Sequence, residues 1–405
     1  MSINKDSQTA PKLRFKGFTD DWEQRKLINV VDRVTRRNTN LQSKIPLTIS
    51  AQFGLVDQIT YFSKQVASKN MENYFLLYNG DFAYNKSYSK GYPFGAIKRL
   101  DSYDSGALST LYIVFRPTIV DSNFLVHYFE TTKWYAEIIK ISAEGARNHG
   151  LLNITPSDFF DIKLFIPSKS GEQEKIGTLL NYVEKAITLH QRKLDQLNRL
   201  KEALLQQMFP GKGETVPKLR FAGFEGDWEE RKFDEFLEEF IRKSKIENEF
   251  TTLSSTNSGM EVREGRVSGD TNIGYKIIEN DDLVLSPQNL WLGNINLNYI
   301  GTGLVSPSYK TFKIKNLSSS FLKPQLRSKR LLNQYELAST QGASVVRRNL
   351  DMELFYQITL PVPVIQEQYK IGKLFKDLDD YIVLQSQKVN KLKSMKEVLL
   401  QNMFI

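Results

Sequence analysis

Six short polar clusters are built from cations, amides and hydroxyls. Arg36-Arg37-Asn38, Asn85-Lys86-Ser87-Tyr88-Ser89-Lys90 and Arg147-Asn148-His149 lie in the first half of the chain. Arg263 with Arg266, Ser286-Pro287-Gln288-Asn289 and Arg347-Arg348-Asn349 lie in the second. Lys and Arg side chains hold duplex DNA by its phosphates, and Arg, Lys, Asn, Gln and Ser bond to base edges in the major groove. Each cluster taken singly also reads as a solvated surface turn. Together, similar chemistry in the loops of both halves points to a nucleic-acid surface. A net charge of +9, from 55 Lys and Arg against 46 Asp and Glu, favours a polyanionic partner, either nucleic acid or a membrane surface.

Other chemistries find no residues to carry them. The sequence has no cysteine, which excludes disulfides, thiol nucleophiles and thiolate metal sites. His127, His149 and His190 are too scattered to suggest a metal cluster. The phosphate loop, the dinucleotide fingerprint, the nucleophile elbow and the H-E-x-x-H zinc pattern are all missing. So is the Asn-Pro-Pro or Asp-Pro-Pro sequence with a following aromatic that amino-methyltransferases use. Gly301-Thr302-Gly303 reads as a turn. The expectation is a non-catalytic chain without its own cofactor. The residues MSINKDSQTA lack an apolar core, and no apolar run approaches a membrane span, so a cytoplasmic protein with no membrane partner is expected.

The clusters must be positioned by elements that the chain makes twice. Pro11 to Leu27 returns as Pro217 to Phe233, with twelve of seventeen positions identical and Trp22 matching Trp228. A long helix from Gly171 to Phe209 is likewise repeated from Gln366 onward. Steps of four and three residues from Ile176 give Leu180, Val183, Ile187, His190, Leu194, Leu197, Lys201, Leu204 and Met208. Adding 195 gives Ile371, Phe375, Leu378, Ile382, Gln385, Val389, Leu392, Lys396, Leu399 and Met403. An apolar period of 3.5 residues marks supercoiled helix pairing. Its polar steps, His190 with Gln385 and Lys201 with Lys396, either set register or mark rim positions that are not buried. At about 1.5 Å per residue the seam is roughly 50 Å long, the proportions of a spacer. Leu179, Leu200 and Leu205 fall outside the seam and need packing partners, either on another protein or on this chain's own domains.

Between lead-in and helix, each half reads as a mixed α and β domain. The first has candidate strands at 45–50, 74–78, 107–115 and 162–166 and a helix over 122–141; turns are marked by Asn79-Gly80-Asp81 and Gly91-Tyr92-Pro93. The second has strands at 275–278, 283–286, 295–300 and 311–314 and a helix near 330–339. The fold class is α+β: two mixed globular domains and two long antiparallel helices in an internal repeat. Domain boundaries are placed at 1–166, 167–212 for the first helix and linker, 213–363, and 364–405 for the second helix. The helices are kept nearly alike while the globular residues diverge, which assigns one shared task to the helices and separate tasks to the domains.

This pattern resembles the DNA-specificity subunit of type I restriction-modification systems over nearly the whole chain. The residues that carry the likeness are the duplicated Pro-Lys-Leu-Arg-Phe lead-ins and the Ile166-Pro167 and Leu360-Pro361 exits. The helix starts Glu172-Gln173-Glu174-Lys175-Ile176 and Glu367-Gln368-Tyr369-Lys370-Ile371 and the helix ends Leu204 to Phe209 and Leu399 to Phe404 complete it. The resemblance implies two target-recognition domains that each read half of a split, asymmetric sequence in double-stranded DNA. It also implies two modification subunits that methylate adenine with S-adenosylmethionine, and restriction subunits that use ATP and Mg2+. Half-sites on one DNA face lie about one turn, roughly 34 Å, apart, a separation within reach of a spacer of that length. A free-standing DNA-binding regulator is the alternative from another class.

Overall fold

The computed structural model describes residues 9–63, 70–142, 152–264, 271–341 and 348–405. The candidate residues Arg147, Asn148, Arg266 and Arg347 lie outside them. The chain forms two compact units, residues 1–190 with 388–405 and residues 191–387. Each unit therefore takes part of both long helices, whereas the repeat pattern placed the boundaries at the helix ends.

In the first unit, strand Glu23–Lys26 pairs antiparallel with Lys163–Ile166, tying the lead-in to the exit. One four-stranded antiparallel sheet runs in the order Val31–Arg33, Ile113–Pro117, Phe82–Asn85, Ala96–Arg99. A second runs Gly54–Asp57, Pro46–Ser50, Ser105–Leu108, Phe75–Tyr78, with its middle pair parallel. The second unit repeats this plan. Glu229–Lys232 pairs with Thr359–Val362, and Leu237–Glu239, Lys310–Ile314, Leu283–Leu285 and Ile295–Leu297 form the four-stranded sheet. The pairs Leu253–Ser255 with Met260–Val262 and Lys276–Ile278 with Gly303–Val305 meet at a parallel bridge between Thr252 and Leu304, reproducing the first unit's second sheet.

Two expected elements are divided. The helix expected over 122–141 is Ser122–Glu130 followed by Tyr135–Ser142. Thr131 adopts an extended conformation and its hydroxyl donates to the Tyr128 carbonyl at 2.7 Å, which closes the first helix. The break sends Trp134 into the core, where its indole N–H donates to the Phe129 carbonyl at 3.2 Å. The strand expected over 107–115 is two strands, Ser105–Leu108 and Ile113–Pro117, in different sheets with a polar turn between. In the second unit the expected 295–300 strand ends at Leu297, and the helix near 330–339 is Lys329–Leu337.

The long helices are Ser170–Gln207 and Ile365–Asn402. In the first unit, Ile176 and Leu180 share one apolar core with Met403 and Phe404 from the end of the second helix and its tail. In the second, Ile371 and Phe375 share a core with Met208, while Leu204, Leu205 and Phe209 pack against it. Packing of one helix's start against the other's end makes the segments antiparallel within each unit. Ile176, Leu180, Val183, Met208, Ile371, Phe375, Leu378, Gln385, Val389 and Met403 are buried. Ile187, His190, Leu194, Leu197, Lys201, Leu204, Ile382, Leu392, Lys396 and Leu399 are half-buried, so no step of the seam is exposed. Leu179 and Leu205 pack against their own unit's core; Leu200 alone of the three extra apolar residues is exposed.

Each helix start is fastened in the same way. Arg14 Nε and Nη2 bond the two oxygens of buried Glu172 at 2.6 and 2.8 Å, and Arg220 makes the same fork on buried Glu367 at 2.8 and 2.8 Å. Gln173 accepts from the Asp121 N–H and donates to the Pro167 carbonyl, both at 2.9 Å. Gln368 does the same with Ser318 and Pro363 at 2.9 and 2.8 Å. Four residues further along, glycine permits close approach. A Cβ on Gly177 would lie 2.6 Å from the Phe124 backbone nitrogen and 2.8 Å from Asp121 Oδ1. One on Gly372 would lie 2.2 Å from Ser320 Oγ and 2.9 Å from the Phe321 nitrogen. Backbone cannot rotate aside as a side chain can. Gly177→Ala and Gly372→Ala should each lower stability by about 1–3 kcal/mol through overpacking. Chemical unfolding of the two variants checks this, whereas Gly171→Ala, with open space around its Cβ, should leave stability nearly unchanged.

Candidate nucleic-acid interface

In each unit the hairpin at the end of the antiparallel sheet carries a polar loop, and that loop is tied down from a distance. In the first unit the loop spans 86–95. The Leu152 N–H donates to the Lys86 carbonyl at 3.1 Å, and Lys86 Nζ donates to the Ile154 carbonyl at 3.1 Å. Asn85 Oδ1 accepts from the Ser87 N–H at 3.0 Å, and Tyr84 Oη donates to the Phe94 carbonyl at 2.8 Å. Gly95 has φ +79°, and a Cβ there would strike the Asn85 carbonyl at 2.0 Å, so the loop's return requires glycine. Tyr88 and Lys90 stand exposed on this base, with Tyr88 61 % accessible.

The corresponding loop of the second unit spans 286–294 and is tied by the same kind of bond, from the Arg348 N–H to the Gln288 carbonyl at 3.2 Å. Asn289 closes it, its N–H donating to Ser286 at 3.1 Å and its carbonyl accepting from Leu292 and Asn294 at 3.1 and 3.2 Å. Below the loop, Asn294 accepts from Ser255 Oγ at 2.7 Å and donates to the Ser255 carbonyl at 3.0 Å. Arg327 Nε donates to the Gly293 carbonyl at 3.0 Å, and its Nη2 bonds Asn296. Burial lowers the Arg327 pKa, so its charge is held by carbonyls rather than by water. Arg348 lies with its guanidinium carbon 4.4 Å from the centre of the Trp291 ring, and its Nη2 meets Glu336 Oε1 at 3.0 Å. The structure thus brings the loop residues Gln288 and Asn289 beside Arg348, at the start of the strand Arg348–Leu350 that also carries Asn349. Trp291, Arg327 and Glu336 were not singled out from sequence. Trp291 sits in an apolar stretch that reads as core, and nothing local links it to Arg348, 57 positions later.

Other candidates are placed elsewhere. Arg36 bonds buried Asp81, which also accepts from Arg116 Nε at 2.6 Å and from the Tyr78 N–H at 2.7 Å. Arg36 also lies over the Tyr78 ring, so its guanidinium serves the turn at Gly80. Arg37 is exposed, over the Phe75 ring with its Nη1 donating to the Asn73 carbonyl at 2.7 Å. Arg263 is half-buried beyond the strand Met260–Val262, its N–H donating to Thr252 at 2.9 Å.

One cluster has the donor chemistry of a cation site. His127 is fully buried, its Nδ1 2.9 Å from Glu130 and its Nε2 3.0 Å from Asn181 Oδ1, with Glu184 close by. Lys396 Nζ lies 3.0 Å from Glu130 and 3.4 Å from Glu184 and supplies the positive charge these carboxylates need. Burial pushes the Glu130 carboxyl up, but the His127 hydrogen bond and the Lys396 charge outweigh it and hold it down at about 2. The counterpart polar step, Lys201, pairs with Asp379 at 2.6 Å.

Comparison with known proteins agrees with this plan. Residues 21–199 match the type I restriction modification DNA specificity domain. A Methanocaldococcus jannaschii chain described as the type I restriction enzyme MjaX specificity subunit is 20% identical over 96% of this chain and 94% of its own length. The crystal structure of a type I restriction-modification S subunit from M. genitalium superposes with a TM-score of 0.61 at 16% identity, covering 98% of this chain and 99% of that one. Among the described residues, no helix is long and apolar enough to cross a membrane.

The depressed Glu130 pKa makes a pH prediction. Its contribution to stability is complete above the ordinary carboxylate pKa near 4.5 and is lost as pH falls toward about 2. Glu130→Gln should therefore be less stable than the unaltered chain at pH 7, with the gap narrowing between pH 4.5 and 3. Urea unfolding of both at these pH values measures it; a gap independent of pH would contradict the ion-pair account.

Proposed function

We infer the function from membership: the chain belongs to the DNA-specificity subunits of type I restriction-modification systems, and we propose that each unit reads one half of a split DNA sequence. The observation that carries this reading is the duplicated loop. Both units have the same strand order and tether the terminal hairpin's loop by the same kind of backbone bond, yet they present different residues there. Tyr88 and Lys90 stand on one, Gln288 and Arg348 on the other. Rigid, equivalent platforms with unlike side chains suit two half-sites of unlike sequence.

Under this reading the chain selects DNA and performs no chemistry. Methyl transfer from S-adenosylmethionine and ATP- and Mg2+-dependent restriction belong to modification and restriction subunits bound to it. The helices support a partner role, because each unit leaves large apolar side chains of the paired segments uncovered. In the first unit these are Leu189 and Met395, 65 % and 43 % accessible; in the second they are Leu384 and Leu200, 57 % and 48 %. Leu189 corresponds to Leu384 and Leu200 to Met395 under the 195-residue repeat, so the chain offers one docking surface twice, as two copies of a modification subunit require.

Mapping methylated adenines in DNA from cells carrying the assembled complex tests the reading, and a split motif is expected. Inserting seven residues into each long helix should lengthen the unread spacer without changing either half-site; an unchanged spacer would refute the ruler role. The purified chain alone should show no methyl transfer to DNA, and any transfer lost on removing S-adenosylmethionine would overturn the division of labour. Leu189→Glu with Leu384→Glu should weaken co-purification of the modification subunit at least tenfold, since each change puts a charge on the docking surface.

A further inference from the structure

We propose that Arg348 reads a guanine in the half-site of the second unit, with Trp291 and Glu336 as the residues that position it. This rests on the DNA-specificity reading and names a base and a residue within it.

Arg348 is held from three directions. Its backbone N–H is bonded to the Gln288 carbonyl at 3.2 Å, its guanidinium carbon lies over the Trp291 ring at 4.4 Å from the centre, and Nη2 meets Glu336 at 3.0 Å. The side chain is 24 % accessible, while Nε and Nη1 make no hydrogen bond among the described residues. Nη2 carries two hydrogens and Glu336 takes one, so the other still lies parallel to an open N–H of either Nε or Nη1; such a pair is the partner that guanine O6 and N7 require, because two parallel N–H groups meet two acceptors on one edge.

A phosphate contact is a poorer use of this arrangement. The carboxylate of Glu336 lies beside the same guanidinium and would repel a phosphate approaching it, whereas a base edge carries no net charge. Clamping the side chain in advance also removes the rotamer entropy that an exposed arginine loses on binding. Among the described residues the first unit has no such trio at the corresponding tether, where the Leu152 N–H takes the place of the Arg348 N–H. The effect is therefore confined to one half-site.

The test uses the complete complex of this chain with its modification subunits, acting on a pool of duplexes randomised across the methylated motif. The unaltered complex should yield a split motif with a guanine in one half. Arg348→Lys keeps the charge and can keep the Glu336 ion pair, but it loses the planar fork. It should reduce discrimination for that guanine by about 5- to 150-fold, with every other position unchanged. Trp291→Leu, which removes the stacking face, should relax the same position to a smaller extent. If Arg348→Lys lowers methylation of all sequences equally, or relaxes nothing, the arginine is a phosphate or structural residue and the proposal fails while the split motif stands. A continuous motif from the unaltered complex would instead refute the half-site reading itself.

Discussion

A carboxylate buried at the start of a long helix must be paired, and in this protein that requirement is met twice by an arginine from a lead-in far away in sequence. Glu172 and Glu367 are fully buried and each receives a bidentate guanidinium, from Arg14 and Arg220. Removing one partner would strand a charge away from water, which is far more costly than the net worth of the pair. The pair therefore fixes where the lead-in crosses the helix, and the rest follows from that crossing. Trp22 and Trp228 enter their cores, and the lead-in meets the end of the other helix through Leu13 N–H to Asn402 at 2.9 Å and Leu219 N–H to Gln207 at 2.8 Å.

Once the helix starts are fixed, each core still lacks a wall. Phe404 supplies it in the first unit, with edge or tilted contacts to Trp22, Phe124 and Tyr128 at 6.4, 5.2 and 6.0 Å. Phe209 supplies it in the second, against Trp228, Phe321 and Phe375 at 6.2, 5.7 and 5.7 Å. The last residues of each helix thus belong energetically to the unit that the other helix begins. The polar steps of the seam act within this scheme as ion-pair anchors. Lys396 joins Glu130 and Glu184, and Lys201 joins Asp379, so charge as well as apolar fit selects the antiparallel register.

Conservation of this scaffold leaves the loops free to differ. The tether that holds 86–95 in the first unit and 286–294 in the second runs from backbone N–H to backbone carbonyl, which any residue but proline can make. The side chains on the loop can then change without loss of its position.

The repeat, the helix seam and the lead-in tryptophans were legible in sequence because helical periodicity and near-identity are local properties: spacing picks out the steps from Ile176 to Met208, while how deeply each is buried depends on the core it meets. The strands were legible in part. Short runs such as 75–78 and 283–285 carry apolar residues between turns, whereas the 107–115 run hid a change of sheet at Ser109 that only pairing partners reveal. The polar clusters were found by residue type, but type could not distinguish Arg36, committed to buried Asp81, from Arg348, held over Trp291 with donors still open. Nor could it show that the compact units divide each helix, because which core a helix end completes depends on contacts between residues as far apart as Trp22 and Phe404, at opposite ends of the sequence. Sequence by itself determined the elements and their duplication; the tertiary structure decided which charges are used up in holding the fold and which keep donors open, because ion pairing joins residues that are distant in sequence.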